Sequence, residues 1–215
     1  MAKVVIFGGT GYAGGRIGAE LVSRGHEVVA VARHEKELDS RIQLRTGSIH
    51  DEAFVADVVK GADQIVVALR AEPGEEGEPR LIDALPLLTR VSIENDARLS
   101  FVGGAGSLLV AEGGPALIDT PEFPDAYKGE AGSHRQILEA LRVSEGELNW
   151  FYVSPAAEFG SWVPGERVGT FRVGGDVLQS DAEGKSFISG DDYAIAYVDE
   201  IESGAHTRER ISVAY

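Results

Sequence analysis

Apolar residues along this chain fall in short unbroken runs, separated by stretches where they recur every three or four positions. Lys3 to Phe7 (KVVIF), Glu27 to Ala32 (EVVAVA), Gln64 to Leu69 (QIVVAL), Leu99 to Val102 and Trp150 to Val153 are the runs. Such runs, rich in β-branched and aromatic residues, predict strands covered on both faces. Ile42 to Arg45 predicts a further short strand. Between the strands, Ile17, Leu21 and Val22 recur at helical spacing over Tyr12 to Arg24, and Gly25 ends the segment. Asp51 to Lys60 sets Phe54, Val55, Val58 and Val59 on one helical face, with Asp51 as N-cap. Arg80 to Ala97 reads as mostly helical, with Pro86 bending or interrupting it. Tyr127 to Val143 reads as helix after a long Gly/Pro-rich loop over 104–126. Beyond Pro155 the pattern changes. Val168 to Val173 and Val177 to Gln179 flank Gly174-Gly175-Asp176, which predicts a hairpin. Ser189 and Asp192 carry a capping-box spacing, a helix runs to about Glu202, and Arg210 to Ala214 is a last strand. Repeated strand–helix units predict an α/β, doubly wound parallel sheet with helices on both faces. The chain reads as a single domain over 1–215, with a small C-terminal hairpin/helix elaboration at 155–190.

Composition narrows the function. The 215 residues carry 20 Lys and Arg against 35 Asp and Glu, a net charge of −15. So acidic a surface repels nucleic acid and anionic lipid, so neither is expected as a partner. The chain has no cysteine. That removes disulfides and thiolate chemistry and fits a reducing compartment. No apolar run approaches the roughly 18–20 residues of a membrane helix. The N-terminus lacks the parts of a signal peptide, so a cytoplasmic location is expected. The five histidines show no H-x-x-x-H spacing, so no metal site is expected. The acidic run Glu72 to Glu78 reads as a solvated loop. Neither G-x-S-x-G nor a G-x-x-x-x-G-K-[ST] phosphate loop is present.

Gly8-Gly9-Thr10-Gly11-Tyr12-Ala13-Gly14 places glycines three apart between a predicted strand and a predicted helix, with a second strand following. In that context it is a dinucleotide-binding signature. Gly8 permits the tight turn, Gly11 lets the backbone approach a pyrophosphate, and Gly14 allows close helix–strand packing. The helix N-terminus supplies N–H groups and a positive dipole end. The second strand ends in Arg33 and His34 rather than an acidic residue. A guanidinium there favours a 2′-phosphate, hence NADP(H) over NAD(H), although Glu35 and Glu37 dilute its field. Arg16 either assists the phosphates or is an exposed helix residue. Gly47-Ser48-Ile49 follows the third strand, where Ser48 hydrogen-bonds and Ile49 packs on an adenine. Ala68, Leu69 and Arg70 end the fourth strand at the carboxyl edge, where ligands bind. Arg70 faces a phosphate or an anionic substrate there, or is solvated.

Together these segments resemble the atypical short-chain dehydrogenase/reductase superfamily. The similarity is to its small NAD(P)H-binding, NADH-flavin reductase type, related to flavin/biliverdin-B reductases and NmrA-like proteins. It is carried by IFGGTGYAGGRI, VAR at 31–33, GSIHD, FVGGAGSL, WFYVSPAAEF, ISGDDYAIAYVDEIE and RISVAY. The resemblance implies a Rossmann domain whose dinucleotide loop is Gly8, Thr10, Gly11, Tyr12, Ala13 and Gly14, with Arg33 at the 2′-phosphate. It also implies that Gly104 and the segment Ser154-Pro155-Ala156 line the cofactor. Ordinary members use a Tyr, a Lys four residues later, and a Ser after the fifth strand. Here Tyr127 is followed at that offset by Ala131, and Lys128 is adjacent instead. His134 stands near the Lys position, with Glu130 then in place of the Tyr. Ser107 lies near the expected Ser. Tyr127, Lys128, Ser107 and His134 are therefore the catalytic candidates. Flavin reduction asks less of side-chain acid/base chemistry, because the cofactors carry the reaction. The expected function is NADPH-dependent reduction of flavin (FMN or FAD), quinone or another small planar acceptor. Leu108, Leu109, Phe123, Tyr127 and Trp162 are candidates for a second wall of that site. The alternatives are an NAD(P) redox sensor, or an epimerase/dehydratase relative with a rebuilt acid/base pair. No oligomeric state is legible.

Overall fold

Alternation along each strand decides how the molecule is layered. β1 (Lys3–Phe7) sends Val4 and Ile6 to one core and Val5 and Phe7 to the other. β2 (Glu27–Ala32) divides Val28 from Val29 and Val31 in the same way, and β4 (Gln64–Val67) divides Val66 from Ile65 and Val67. An unbroken apolar run is therefore a strand feeding two cores at once. The computed structural model describes residues 1–71, 79–144, 146–163 and 165–215. The acidic run at 72–78 lies outside the described residues.

The remaining strands are β3 (Ile42–Thr46), β5 (Arg98–Val102), β6 (Trp150–Ser154), β7 (Arg172–Gly174) and β8 (Glu209–Ala214). They form one sheet in the order β3-β2-β1-β4-β5-β6-β8-β7. Every pairing is parallel except β7 with β8. One face carries α1 (Tyr12–Ser23) and α5 (Gly190–Ser203), which bury Ile17, Leu21, Tyr193 and Tyr197 with β1, β6 and β8. The other carries α2 (Glu52–Val58), α3 (Leu85–Glu94) and α4 (Asp125–Arg142), which bury Val55, Leu88, Ile137 and Leu141. This is a Rossmann-type doubly wound sheet. The strand order reverses between β1 and β4, so the carboxyl-edge crevice opens there.

Two local expectations are corrected, and a third is given its geometry. The hairpin does not form as predicted: β7 pairs antiparallel with β8, and Val177 instead bridges Leu109 in the long loop. A tight two-residue hairpin turn needs positive φ, and neither Gly174 nor Gly175 adopts it. The helical stretch predicted over 80–97 is divided just before Pro86, as expected. A 3₁₀ turn at Leu81–Ala84 leads into α3, and Pro86 occupies the first turn, where its missing N–H costs nothing. The capping box is half made. Ser189 accepts from the Asp192 N–H, but the Asp192 carboxylate accepts from the N–H groups of Val168 and Gly169, both at 2.8 Å. The buried Asp192 thereby ties the 155–190 segment to α5, and Arg167 ties it to Glu20 of α1 at 2.7 Å.

Candidate cofactor site

The turn after β1 is built by four glycines with different duties. Gly8 holds φ of +84°, and a Cβ there would overlap the Ala68 carbonyl oxygen at the end of β4. Gly9 abuts Ala30 of β2, 2.6 Å from where its own Cβ would stand. A Cβ on Gly14 would overlap the Gly8 carbonyl, so α1 can press on the turn only without one. Gly11 differs. The one neighbour its Cβ would meet is the Gly8 oxygen, at 3.2 Å. Protein packing thus demands glycine at 8, 9 and 14, whereas Gly11 leaves an exposed, open approach to the backbone. Gly11 is also the N-cap of α1, with no side-chain cap and no acidic residue in the first turn. Among the described residues, the N–H groups of Tyr12 and Ala13 meet no acceptor. Unpaired donors, a positive helix end and an open Cβ position fit the pyrophosphate of a dinucleotide.

Arg33 and His34 stand exposed just beyond β2, and Arg33 forms no ion pair with a described residue. Lys36, which sequence reasoning missed, reaches back to donate from Nζ to the Thr10 carbonyl at 2.8 Å. A cleft of about 480 Å³ opens beside it, lined by Glu35, Lys36, Glu37, Leu44 and Thr46. Arg16 is engaged on the protein's own surface. Its guanidinium lies 4.1 Å over the Tyr12 ring and 3.1 Å from Asp191 of α5. Ser48 is exposed and its hydroxyl accepts from the His50 N–H. Ile49 points inward: only 7% exposed, it packs in the α2–α3 core rather than presenting a face for an adenine. Asp51 caps α2 as predicted, accepting from the Phe54 N–H at 3.1 Å. Ala68 and Leu69 are half-buried at the crevice, and Arg70 pairs with Glu130 of α4 at 3.3 Å.

The far half of the carboxyl edge lies over β5 and β6. Gly103 lies against the Tyr152 ring, which a Cβ would overlap. The Tyr152 hydroxyl accepts from the Gly104 N–H and donates to the His134 carbonyl, both at 3.3 Å. Ser154 is fully buried, and its hydroxyl donates to the Gly104 carbonyl at 3.0 Å. Pro155 and Ala156 are buried behind it. Gly104 is thus fixed from both sides.

The four catalytic candidates do not converge. Tyr127 is 50% exposed on the first turns of α4. Lys128 turns away to pair with Asp125 at 2.6 Å. His134, two turns along, is 7% exposed and lies beside Gly104. Its Nδ1 is buried with no partner, and burial holds its pKa down to about 4, so the imidazole is neutral. Ser107 stands on the loop after β5, where its hydroxyl accepts from Arg210 at 3.2 Å. No hydrogen bond or ion pair joins any two of the four among the described residues. Adjacent helix positions diverge by about 100°, which is why Tyr127 and Lys128 cannot act as the spaced pair does.

Arg210 is the feature the sequence reading passed over. Its side chain is 1% exposed near the start of β8, bonded to Asp176, Ser107 and Ser154. Asp176 is shared with Arg142 at 2.6 Å. An arginine at the head of the run RISVAY was the available signal.

Comparison with known proteins agrees with this geometry. Residues 8–179 match the NAD(P)H-binding family. A solved structure from Burkholderia pseudomallei, described as a "putative exported protein", is 38% identical with TM-score 0.85, covering all of both chains. One from Streptococcus pneumoniae TIGR4, described as a "putative NADH-flavin reductase", is 34% identical with TM-score 0.79, covering 100% of this chain and 99% of that one. One from Bacteroides thetaiotaomicron, described as a "putative epimerase", is 31% identical with TM-score 0.87, covering 100% and 97%. The three descriptions disagree while the fold does not, so chemistry must be argued from the site. A matched cofactor region, a Rossmann sheet and full-length likeness agree on one point: the chain belongs to the NAD(P)H-binding family.

Proposed function

We propose that the chain is an NADP(H)-dependent reductase of a small planar acceptor, free FMN or FAD or a quinone. The observation that carries this reading is the open backbone at Gly11 above an uncapped α1, with Arg33 exposed beyond β2. The N–H groups of α1 hold the pyrophosphate, and Arg33 clamps the 2′-phosphate with Lys36 close to the glycine turn. When bound, the cofactor supplies a hydride from its nicotinamide. The protein's task is then to orient the rings and exclude water. Exposure of Tyr127 and diversion of Lys128 to Asp125 argue against a tyrosine-based acid/base mechanism, and so against the epimerase reading. The absence of cysteine fits a reducing cytoplasm as the place of this activity.

Purified protein should oxidise NADPH faster than NADH with saturating FMN or a quinone. Arg33→Ala should weaken NADPH binding about 10- to 100-fold, the range for a lost charge-assisted contact, and leave NADH nearly unchanged. Equal losses for both cofactors would overturn the 2′-phosphate assignment. Tight NADPH binding without turnover of any acceptor would favour a redox sensor.

A further inference from the structure

Two serines share one guanidinium at the carboxyl edge, and they differ in what their protons do. Ser154 Oγ accepts from Arg210 at 3.4 Å and donates to the Gly104 carbonyl. Ser107 Oγ accepts from the same Nη1 at 3.2 Å, yet its own proton has no acceptor among the described residues. Arg210 also holds the Ser107 carbonyl, at 3.5 Å, so the loop after β5 is gripped at side chain and backbone. Asp176 on the far side of the guanidinium keeps it charged and aimed, and Arg142 holds Asp176 in turn. The guanidinium is buried, so its field reaches Ser107 with little screening by water. A hydroxyl that accepts a hydrogen bond from a cation becomes a stronger donor through its own proton. Ser107 is half-buried, open enough to meet a ligand.

We propose that Arg210 is a positioning residue that turns Ser107 into a hydrogen-bond donor for the oxygen of the acceptor. The inference rests on the reductase reading and sharpens it. A donor of this kind serves an acceptor whose reduction loads negative charge onto an oxygen, as in a quinone or an enone. Such an acceptor gains a hydride, two electrons and a proton, from the reduced nicotinamide. Its oxygen becomes an oxyanion held by Ser107 and takes the balancing proton from water on release. Ser107 thus supplies electrostatic stabilisation where the family's usual tyrosine is missing.

The test is a double-mutant cycle of Ser107→Ala, Arg210→Gln and both, with menadione as acceptor. Each single change should lower kcat about 10²-fold, as removal of one oxyanion donor does, while NADPH affinity stays constant. The double variant should be no worse than Ser107→Ala. Additive losses, or losses in NADPH affinity rather than kcat, would make Arg210 a structural strut and overturn the proposal. Arg142 remains to pair Asp176 in Arg210→Gln. Should that variant fail to fold, Arg210→Lys keeps the charge but loses the fork, and should still lower kcat. A second readout needs no turnover. 4-Nitrophenol bound to the protein with NADP⁺ should ionise at lower pH than free 4-nitrophenol, and the shift should vanish equally in all three variants. Failure to bind the phenolate, or a shift surviving in Ser107→Ala, overturns the donor role. A wild-type protein inactive with every acceptor brings down the reductase reading itself, and is thereby distinct from an additive cycle in an active one.

Discussion

At the scale of single residues, the glycine turn shows that one amino acid answers two demands. Gly14 is glycine because the protein leaves no room, since its Cβ would meet the Gly8 backbone and stand 3.1 Å from the Ala68 Cβ. Gly15, next in the helix, has nothing nearer than the Gly9 oxygen at 3.6 Å. Gly14→Ala should therefore destabilise by about 1–3 kcal/mol, the usual cost of overpacking, and weaken cofactor binding by opening the turn. Gly15→Ala should stabilise by roughly 0.5–1 kcal/mol, because alanine loses less backbone entropy in a helix. Urea unfolding of both variants checks the pair, and equal effects would remove packing as the distinction between them. The loop, Arg33 and the edge position of Arg70 were legible because they follow strand ends in sequence. Arg210, Tyr152 and Lys36 were not, because their partners lie far off in the chain: Ser107 is 103 positions from Arg210 and Gly104 is 48 from Tyr152. The inward turn of Ile49 was hidden for a related reason, since the sequence shows an apolar residue near the adenine end but not which way it faces.

At the scale of elements, periodicity identified most of the molecule because each buried strand needs an apolar run and each covering helix an apolar stripe. It failed where tertiary partners decide. The 177–179 segment satisfied strand composition yet bridges Leu109, because β8 already offers its free edge to β7. Helix α4 carries the clearest consequence of an element's packing. It docks through Ala131, His134, Ile137, Leu138 and Leu141, so an imidazole sits inside an apolar stripe. Burial lowers the His134 pKa from 6.5 to about 4. The unfolded chain therefore takes up a proton on falling through 6.5, while the folded chain does not until about 4. Stability is whole above the upper value and declines as pH falls across that window. His134→Phe removes this dependence. Between about pH 7 and pH 5 the wild type should lose about 1–2 kcal/mol more than the variant, read from urea midpoints. Parallel decline in both proteins would place the acid sensitivity elsewhere, in carboxylates such as Asp192 and Asp176, whose pKa values are lowered by their partners.

At the scale of the whole molecule, charge sets a conflict that the site must resolve. The chain carries −15 overall, and its proposed ligand is a polyanion. Far from the crevice, repulsion acts on every approaching cofactor. Within it, the N-terminus of α1, Arg33 and Lys36 attract. These fields differ in reach. The net charge is felt beyond the first contact and is screened over about 10 Å at 0.1 M salt, whereas the phosphate contacts are local. Raising ionic strength from about 0.01 M to about 0.1 M should therefore speed NADPH association, because the opposing long-range field is lost first. Dissociation should quicken too, because salt also weakens the Arg33 contact once formed. Arg33→Ala should keep the salt-accelerated association and lose the salt-dependent dissociation. Stopped-flow measurement of NADPH fluorescence separates the two rates. An association rate that instead falls with salt would mean that the crevice focuses a positive field outward past the acidic surface, and that the basic residues after β2 steer the ligand as well as hold it.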